Sequence, residues 1–327
     1  MRVLVLGGTR FIGLAIVEEL VDAGHEVTVV HRGETEPVDM PAVRHIHAPR
    51  ATWRERAGEL TAAGADAVID CLAMSASDAD ATLGAIGPET HLVVLSSQDV
   101  YRAFSSLNAG LLTDAVPVDE ESPLREDRHV ARPGVADYSK RDVEDRCLAA
   151  GAIVLRVPAT YGERDNQRRE EFILRRVRAR RRAIPIGPGG FLWTRGWVRD
   201  IARGARVAAE RVDISGEAFN LGEAATWSVR LWAERILEAA ESTAELLEVV
   251  EGAIPADMSL SSGRLNQHVL AGTAKARALL GYTDSDAMTA LRASVGWHLA
   301  HPPADADGDF AADDAALLQP APSRSPG

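Results

Sequence analysis

The chain has 327 residues, of which 46% are hydrophobic, and a formal net charge of −12 at pH 7. This composition is enough for a full core, whereas the acidic balance argues against a general nucleic-acid binder because phosphate repels an acidic surface. No apolar run reaches the roughly 20 residues that span a bilayer, and the short N-terminal apolar run indicates a strand rather than a signal peptide. Cys71 and Cys147 fall in a predicted strand and a predicted helix, where we expect small buried side chains rather than a disulfide. We therefore expect a cytoplasmic globular protein.

The chain opens with a strand, a glycine turn and a helix. Residues 3–6 form a continuous apolar run, as in a parallel strand that is covered on both faces. Apolar residues at helical spacing predict a helix over 11–23, which Gly24 ends, and a second strand follows over 26–30. This order predicts a strand-helix-strand unit of the kind found in parallel sheets.

The turn between the first strand and helix is predicted to bind a dinucleotide. Gly7 can bend the chain, and Gly8 and Thr9 let the backbone approach a ligand, while Gly13 lets the helix pack against the strand. Helix N-termini carry unpaired N–H groups and partial positive charge, which favour a pyrophosphate. The N–H groups expected to hold it belong to Arg10, Phe11 and Ile12.

Short apolar runs at 67–72, 91–96 and 152–157 alternate with helical stretches. Such alternation predicts an α/β fold, namely a Rossmann-type doubly wound parallel sheet with helices on both faces.

The predicted organisation is a dinucleotide-binding domain over 1–164, with its sheet completed by 197–222, and a smaller C-terminal substrate lobe over 165–300. Helical residues 200–211 and a short strand over 218–221 fall in the completing segment. Because ligands of open α/β sheets bind outside the carboxyl ends of the strands, the cleft between the lobes is the expected active site. Residues 301–327 are rich in Pro, Ala and Asp and lack periodicity, which predicts a disordered tail.

The arginine-rich segment 168–182 invites a nucleic-acid interpretation. It lacks interleaved aromatic residues beyond Phe172 and has an apolar face, so a solvated helix face is favoured. Binding of an anionic substrate tail is an intermediate alternative.

Several motifs together resemble the extended and atypical short-chain dehydrogenase/reductase superfamily, in its NAD(P)-dependent epimerase/dehydratase group. The resemblance covers roughly residues 1 to 300. Its motifs, in order, are GGTRFIG from Gly7, SSQDVY from Ser96, YSK from Tyr138, RVPATYGERD from Arg156, WVRDIARG from Trp197 and FNLGE from Phe219.

The resemblance implies three catalytic positions. A Ser binds the reacting oxygen, a Tyr exchanges its proton, and a Lys lowers the pKa of that Tyr and holds the nicotinamide ribose; Ser97, Tyr138 and Lys140 match them. The family places Tyr and Lys four residues apart, whereas Tyr138 and Lys140 are two apart and therefore about 200° apart on a helix. Either Tyr138 precedes the helix and Lys140 reaches back, or the pair is degraded, with Tyr101 as an alternative phenol.

Gln98 and Asp99 stand where the dehydratases of this superfamily have an acid and a base. A complete dehydratase is therefore not supported, although Asp99 can serve as a base or simply cap the loop.

The cofactor preference is predicted from the end of the second strand. His31 and Arg32 stand where NAD enzymes place an Asp or Glu, and a guanidinium matches a 2′-phosphate. Arg10 adds positive charge, so NADP is favoured over NAD, with Arg32 as a mere solvated turn residue being the alternative. The expected cofactor-binding residues are Gly7, Thr9, Arg10, Phe11, Ile12, Gly13, His31, Arg32, Leu72, Ala73, Lys140 and Pro158; no metal site is predicted.

The loop over 186–199 offers aromatic and cationic side chains for a carboxylate or phosphate, although the aromatic residues can instead close the core between the lobes. The candidates are Trp193, Arg195, Trp197 and Arg199. A UDP-sugar is one candidate substrate among others.

Two hypotheses follow. The first is an NAD(P)-dependent oxidoreductase or epimerase that acts by hydride transfer on a small polar metabolite or sugar-like substrate. The second is an NAD(P)-binding sensor or RNA-associated protein that has lost turnover. The expected partner is a small-molecule substrate, with a second copy of the chain as a further candidate, and neither a membrane nor a nucleic acid is expected.

Overall fold

The computed structural model describes residues 1–62, 64–87, 89–132, 134–135, 137–304 and 308–322. Numbered in chain order, its strands are β1 Arg2–Leu6, β2 Glu26–His31, β3 Arg44–His47, β4 Ala67–Asp70, β5 His91–Ser97, β6 Ile153–Val157, β7 Ala159–Tyr161, β8 Ala183–Ile186, β9 Arg195–Trp197, β10 Ala218–Asn220 and β11 Glu245–Glu248. The α-helices are α1 Phe11–Asp22, α2 Ala57–Ala62, α3 Ala76–Ala85, α4 Arg102–Asn108, α5 Lys140–Ala149, α6 Glu171–Arg178, α7 Val198–Glu210, α8 Val229–Ala239, α9 Ala287–Ala300 and α10 Ala311–Leu317.

Seven parallel strands form the central sheet, in the order β10-β6-β5-β4-β1-β2-β3. The strand order reverses at β1, which lies between β4 and β2. This arrangement confirms the predicted doubly wound α/β fold. Because all seven strands are parallel, their carboxyl ends meet at one edge, and the reversal opens a crevice there.

Both faces of the sheet are covered, which explains why its strands are apolar runs rather than alternating patterns. Val3 and Val5 of β1 pack toward α1 and α7, whereas Leu4 and Leu6 pack in a second cluster with residues of α3 and α5. Cys147 belongs to this second cluster, and neither cysteine forms a disulfide.

The C-terminal part has its own core. Helices α6, α8 and α9 bury apolar side chains around Trp232, together with Tyr161, Ile173 and Leu291. A separate parallel pair, β8 with β11, borders this core, and a second pair joins β7 to β9. None of the helices in the described ranges is both long and apolar enough to cross a bilayer.

The segment over 168–182 and the chain terminus depart from the sequence-based expectations. Within the described residues 308–322 of the predicted disordered tail, α10 is a packed helix; residues 305–307 and 323–327 lie outside the described residues. Asp313 of α10 is fully buried and accepts two hydrogen bonds of 2.7 Å from Arg176 of α6, which is also buried. Arg175 and Arg176 both pair with Asp257 as well. These arginines are therefore neutralised by carboxylates rather than solvated.

The Arg176–Asp313 pair yields a stability prediction. Replacing Asp313 by Ala leaves the buried guanidinium of Arg176 with one of its two carboxylate partners, which should lower the free energy of unfolding by about 3 kcal/mol. The neighbouring Asp314 pairs with Arg181 but is mostly exposed, so Asp314→Ala should cost about 1 kcal/mol or less. Urea unfolding of both variants measures the difference, and equal midpoints would contradict the packed position of α10.

Candidate functional site

Three adjoining cavities form one cleft at the carboxyl edge of the sheet. The outer cavity, about 570 Å³, is lined by residues that include Thr9, Arg32 and Trp53. The central cavity, about 310 Å³, is lined by the turn between β1 and α1, by Ser97 and by Lys140. The inner cavity, about 180 Å³, shares Ser97 with the central cavity and adds other residues of the loop after β5.

The glycine turn is shaped for a close ligand. Gly7 has φ +92°, and a Cβ there would lie 2.3 Å from the Leu72 side chain, inside the cleft wall. A Cβ on Gly13 would lie 2.0 Å from the carbonyl oxygen of Gly7, so only glycine allows α1 to approach β1 this closely. Arg10 precedes α1 and provides no side-chain cap for the first N–H groups of the helix. The turn therefore fits a phosphate-bearing dinucleotide, whose negative charge the helix start favours.

Most of the predicted cofactor residues meet in the cleft. All of them line the outer or the central cavity except Ala73. Ala73 is buried, and its carbonyl oxygen accepts a hydrogen bond from Lys140.

Ser97 is the last residue of β5 and has its hydroxyl at the cleft. Its Oγ accepts a hydrogen bond of 3.2 Å from the backbone N–H of Asp99, at the start of a single helical turn over 98–100. The hydroxyl proton is therefore free to be donated to a ligand oxygen. The neighbouring Ser96 donates its hydroxyl to the buried Glu144 instead, at 2.6 Å.

Lys140 is the first residue of α5, and Tyr138 precedes the helix, whose N-cap is Ser139. The ammonium of Lys140 donates to the carbonyl oxygens of Ala73, at 2.6 Å, and Leu95, at 2.8 Å. Burial lowers the pKa of Lys140 to about 8. Tyr138 therefore lies outside the helix, while Asp142, two residues beyond Lys140, pairs with Arg128.

Tyr138 contacts a carboxylate rather than Lys140. Its hydroxyl donates to Asp99 Oδ2 at 2.6 Å, and the guanidinium of Arg132 lies 4.7 Å from the ring centre. Burial and the adjacent Asp99 raise the pKa of Tyr138 well above its usual value. Asp99 lines the inner cavity, and its Oδ1 is buried without a hydrogen-bond partner. Tyr138 therefore stays protonated and donates a hydrogen bond to Asp99, which itself lines the inner cavity.

The structure does not bring Tyr101 into the cleft. Its ring is fully buried, its hydroxyl donates to Asn220 at 2.8 Å, and Arg156 donates to the hydroxyl at 3.0 Å. Burial raises the pKa of Tyr101 to about 12. Tyr101 is an alternative phenol by sequence only, because its partners hold it in the core.

Gln98 is also turned inward. Its amide nitrogen donates to the carbonyl oxygen of Leu221 at 2.8 Å, while its Oε1 is buried without a partner. It lines the inner cavity with Asp99 and Trp193.

Of the four predicted substrate residues, only Trp193 lines the cleft. Arg195 is buried under the lobe with its guanidinium 4.0 Å from the ring centre of Trp232, and burial lowers its pKa to about 10. Arg199 pairs with Glu18 of α1, and Trp197 donates to Glu163 at 3.0 Å. Contacts within the protein therefore occupy Arg195, Trp197 and Arg199.

His31 and Arg32 both line the outer cavity, but differently. Arg32 is exposed and pairs with Glu34 at 2.9 Å. His31 is buried, and its ring contacts the imidazole of His45 at 2.8 Å.

Sequence reasoning missed several residues of the cleft. Arg132 precedes α5, and Gln167 and Arg169 follow β7; all three line both the central and the inner cavity. No motif marks Arg132 or Gln167, whereas Arg169 belongs to the arginine-rich segment 168–182, for which binding of an anionic substrate tail was one alternative. The rule that ligands lie beyond the carboxyl ends of strands is the signal that points to the loop after β7.

Comparisons with known proteins agree with this architecture. The model of the NAD dependent epimerase/dehydratase family matches residues 3–222, and the chain belongs to that family. It is 26% identical over 237 residues to the chloroplast stem-loop binding protein of 41 kDa b of Arabidopsis thaliana, covering 67% of this chain and 58% of the relative. It is 32% identical over 120 residues to 2′-dehydrokanamycin reductase of Streptomyces kanamyceticus, covering 37% of this chain and 34% of the relative. The chain thus spans less than two thirds of either relative.

Solved structures share the fold. UDP-glucose 4-epimerase of Thermotoga maritima, solved with UDP-glucose, superposes with a TM-score of 0.69 at 17% identity, covering 91% of this chain and 98% of that one. The dTDP-glucose 4,6-dehydratase of Bacillus anthracis, in complex with NAD, superposes with a TM-score of 0.67 at 15% identity, covering 92% and 97%.

The close contact at Gly13 gives a prediction for the cleft. Gly13→Ala should push α1 away from Gly7, lower the free energy of unfolding by about 1–3 kcal/mol and weaken dinucleotide binding more than about tenfold. A Cβ at Gly296, within α9, meets nothing within 4 Å. Gly296→Ala is therefore the control and should stabilise by about 0.5–1 kcal/mol. Denaturant unfolding and cofactor fluorescence measure both variants, and unchanged binding in Gly13→Ala would contradict this assignment of the turn.

Proposed function

We propose that the chain is an NAD(P)-dependent oxidoreductase or epimerase that acts on a carbonyl or hydroxyl group of a small polar or sugar-like substrate. The observation that carries the proposal is that the glycine turn, Lys140 and Ser97 line one cavity at the carboxyl edge of the sheet. A nicotinamide bound there would supply hydride chemistry, and the chain's own groups would orient the substrate and manage its proton.

Ser97 would orient the reacting oxygen. Because the N–H of Asp99 already donates to Ser97 Oγ, the remaining hydroxyl hydrogen is directed to a substrate oxygen, where it stabilises developing negative charge. Lys140 would bind a ribose hydroxyl while its ammonium is fixed by the carbonyl groups of Ala73 and Leu95.

The proton would be exchanged at Asp99. Tyr138 occupies Oδ2, which leaves Oδ1 to accept a proton from a substrate hydroxyl or to return it to a forming hydroxyl. The guanidinium of Arg125 lies 3.7 Å from Oδ1. Tyr138 is then a positioning residue, and it takes no direct part in the exchange.

Unpartnered polar atoms indicate the substrate class. Gln98 Oε1, Asp99 Oδ1 and Trp193 Nε1 are buried without hydrogen-bond partners, and all three residues line the inner cavity. Two acceptors and one donor match the hydroxyl groups of a polyhydroxylated ligand, because buried polar groups favour partners that satisfy them.

Turnover tests the proposal. The full chain would be incubated with NADPH or NADH and a panel of carbonyl compounds, and with nucleotide sugars for epimerisation, followed by cofactor absorbance and NMR. Ser97→Ala and Asp99→Asn should each lower kcat by about 10²-fold or more. Tyr138→Phe should lower it less. Asp213→Asn, an exposed aspartate paired with Arg211, is the control. Tight cofactor binding without turnover anywhere in the panel would favour the sensor hypothesis instead.

Lys140 can be tested against the chain's only other lysine. Lys140→Met should weaken cofactor binding about tenfold or more, whereas Lys275→Met, at a surface pair with Glu217, should not. Since the folded pKa of Lys140 is about 8, the charged donor is present below that pH. Wild-type affinity should therefore fall as pH rises through about 8, and the Lys140→Met variant should lose this step. A wild-type profile that stays flat through that range would contradict the ribose-binding role.

We also propose a preference for NADP. Arg32 lines the outer cavity with its guanidinium exposed, and it pairs with Glu34 at 2.9 Å. A guanidinium–phosphate contact is worth about 1.5–3 kcal/mol, which is about ten- to a hundred-fold in affinity. Arg32→Ala should weaken NADPH binding by that factor and leave NADH binding unchanged. Arg235→Ala, another exposed arginine paired with a glutamate, is the control in fluorescence titrations. Equal wild-type affinities for the two cofactors would refute the preference.

RNA association is a second candidate, because one relative is named as a stem-loop binding protein. Arg175 and Arg176 lie on α6, the most basic helix, and pair with Asp257 and Asp313. Their positive charges are therefore not free to bind a phosphate backbone. We therefore expect no binding of stem-loop RNA in an anisotropy titration at physiological salt. Saturable binding would favour this second function.

A further inference from the structure

Four metal-ligating side chains converge beside the outer cavity. His31, Glu36, His45 and His47 each offer one ligand atom, and all four atoms lie within 4.8 Å of one another. We propose that this histidine cluster binds a divalent transition-metal ion, with Zn²⁺ as the best match. The proposal does not rest on the proposed function, although one member of the cluster, His31, also lines the outer cavity.

The sheet brings the cluster together. In the parallel pairing of β2 with β3, His31 lies opposite His47, and Val29 lies opposite His45. Alternate residues of a strand share a face, so His45 and His47 project on the same side of β3. The loop between the two strands returns Glu36 to this face, where its carboxylate lies 2.7 Å from His47 Nε2.

The donor set and spacing suit Zn²⁺. Imidazole nitrogens and a carboxylate oxygen are zinc ligands, and bonds of about 2.0–2.1 Å in a tetrahedron separate ligand atoms by about 3.3 Å. His31 Nε2 lies 3.4 Å from Glu36 Oε1, and His45 Nδ1 lies 4.0 Å from it. The two shorter separations, His31 to His45 at 2.8 Å and His47 to Glu36 at 2.7 Å, are hydrogen bonds that a metal ion replaces.

The hydrogen bonds indicate which of the four side chains are the primary metal ligands. The backbone N–H of Gly33 donates to His31 Nδ1, so a neutral His31 carries its proton on Nε2 and donates it to His45 Nδ1. His45 Nδ1 is therefore unprotonated, and its lone pair becomes free for a metal ion once the hydrogen bond from His31 is broken. Glu36, His45 and His47 form the primary ligands once the proton that His47 Nε2 donates to Glu36 has moved to Nδ1 of the same ring. His31 becomes the fourth ligand when its own proton moves to Nδ1 and the Gly33 contact is released.

The cluster is accessible to an ion from solvent. The side chains of Glu36 and His47 are about half exposed, at 45% and 57%, whereas that of His31 is buried. Three imidazole rings lie with neighbouring centres 4.8 to 6.2 Å apart. Each surface ligand can be replaced without opening the core.

The test uses tag-free full-length protein. After dialysis against a chelator, the protein would be titrated with Zn²⁺ by calorimetry and with Co²⁺ by visible absorption, which reports tetrahedral coordination. We expect one ion per chain, a tetrahedral Co²⁺ spectrum that Zn²⁺ abolishes, and a higher melting temperature with Zn²⁺. His47→Ala and Glu36→Gln should each weaken binding at least about tenfold. His45→Ala should do the same.

His129→Ala is the matched control, because that histidine is exposed and distant from the cluster in the chain. Melting curves in chelator show whether each variant is folded. If an alanine variant is unfolded, Glu36→Gln still tests the site, because glutamine keeps the shape of the glutamate side chain. Binding at less than one ion per chain, or binding that survives both His47→Ala and Glu36→Gln, would refute the site. The dinucleotide titrations are run without metal. The metal site and the dinucleotide site are thus tested in separate experiments, and either proposal can fail without the other.

Discussion

The contact between Gly13 and the carbonyl of Gly7 determines how close α1 lies to β1, and much of the structure depends on that distance. Helix α1 packs on α7, and its acidic side chains join the two halves of the chain: Glu18 pairs with Arg164 and Arg199, and Glu19 pairs with Arg206. Displacement of α1 would therefore disturb the helix start at the cleft, the sheet cover and the connection to the C-terminal core together. The lack of a side chain at a single position thus has a structural role across the protein.

Buried ionic groups stabilise the strand ends next to the cleft. Asp70, at the end of β4, accepts from Arg50, from Thr82 and from the N–H groups of Leu72 and Ala73. On the other side of Lys140, Glu144 pairs with Arg156, which also binds the hydroxyl of Tyr101. Because such groups lose their partners only at high cost, they fix the strand ends before any ligand arrives. The alternative phenol at Tyr101 belongs to this framework.

The strands and the glycine turn were predictable from local patterns, namely apolar runs and a glycine spacing. Ser97 and Lys140 were indicated by the resemblance of their motifs to a known family, and both line the central cavity. The burial of Arg195 beneath Trp232 and the packing of α10 were not, since their partners lie far away in sequence. The spacing of Tyr138 and Lys140 illustrates an intermediate case. Sequence defined two alternatives, and only the N-cap at Ser139 decides that Tyr138 precedes the helix. No local sequence pattern indicated the hydrogen bond between Tyr138 and Asp99, which are 39 residues apart.

The ammonium group of Lys140 already donates hydrogen bonds within the protein itself. An ammonium has three hydrogens to donate, and the carbonyl oxygens of Ala73 and Leu95 accept two of them. One N–H remains for whatever enters the cleft. Lys140 can therefore donate to one further oxygen in a fixed direction, and bridging a pair of neighbouring hydroxyl groups would require it to give up its bond to Ala73 or Leu95.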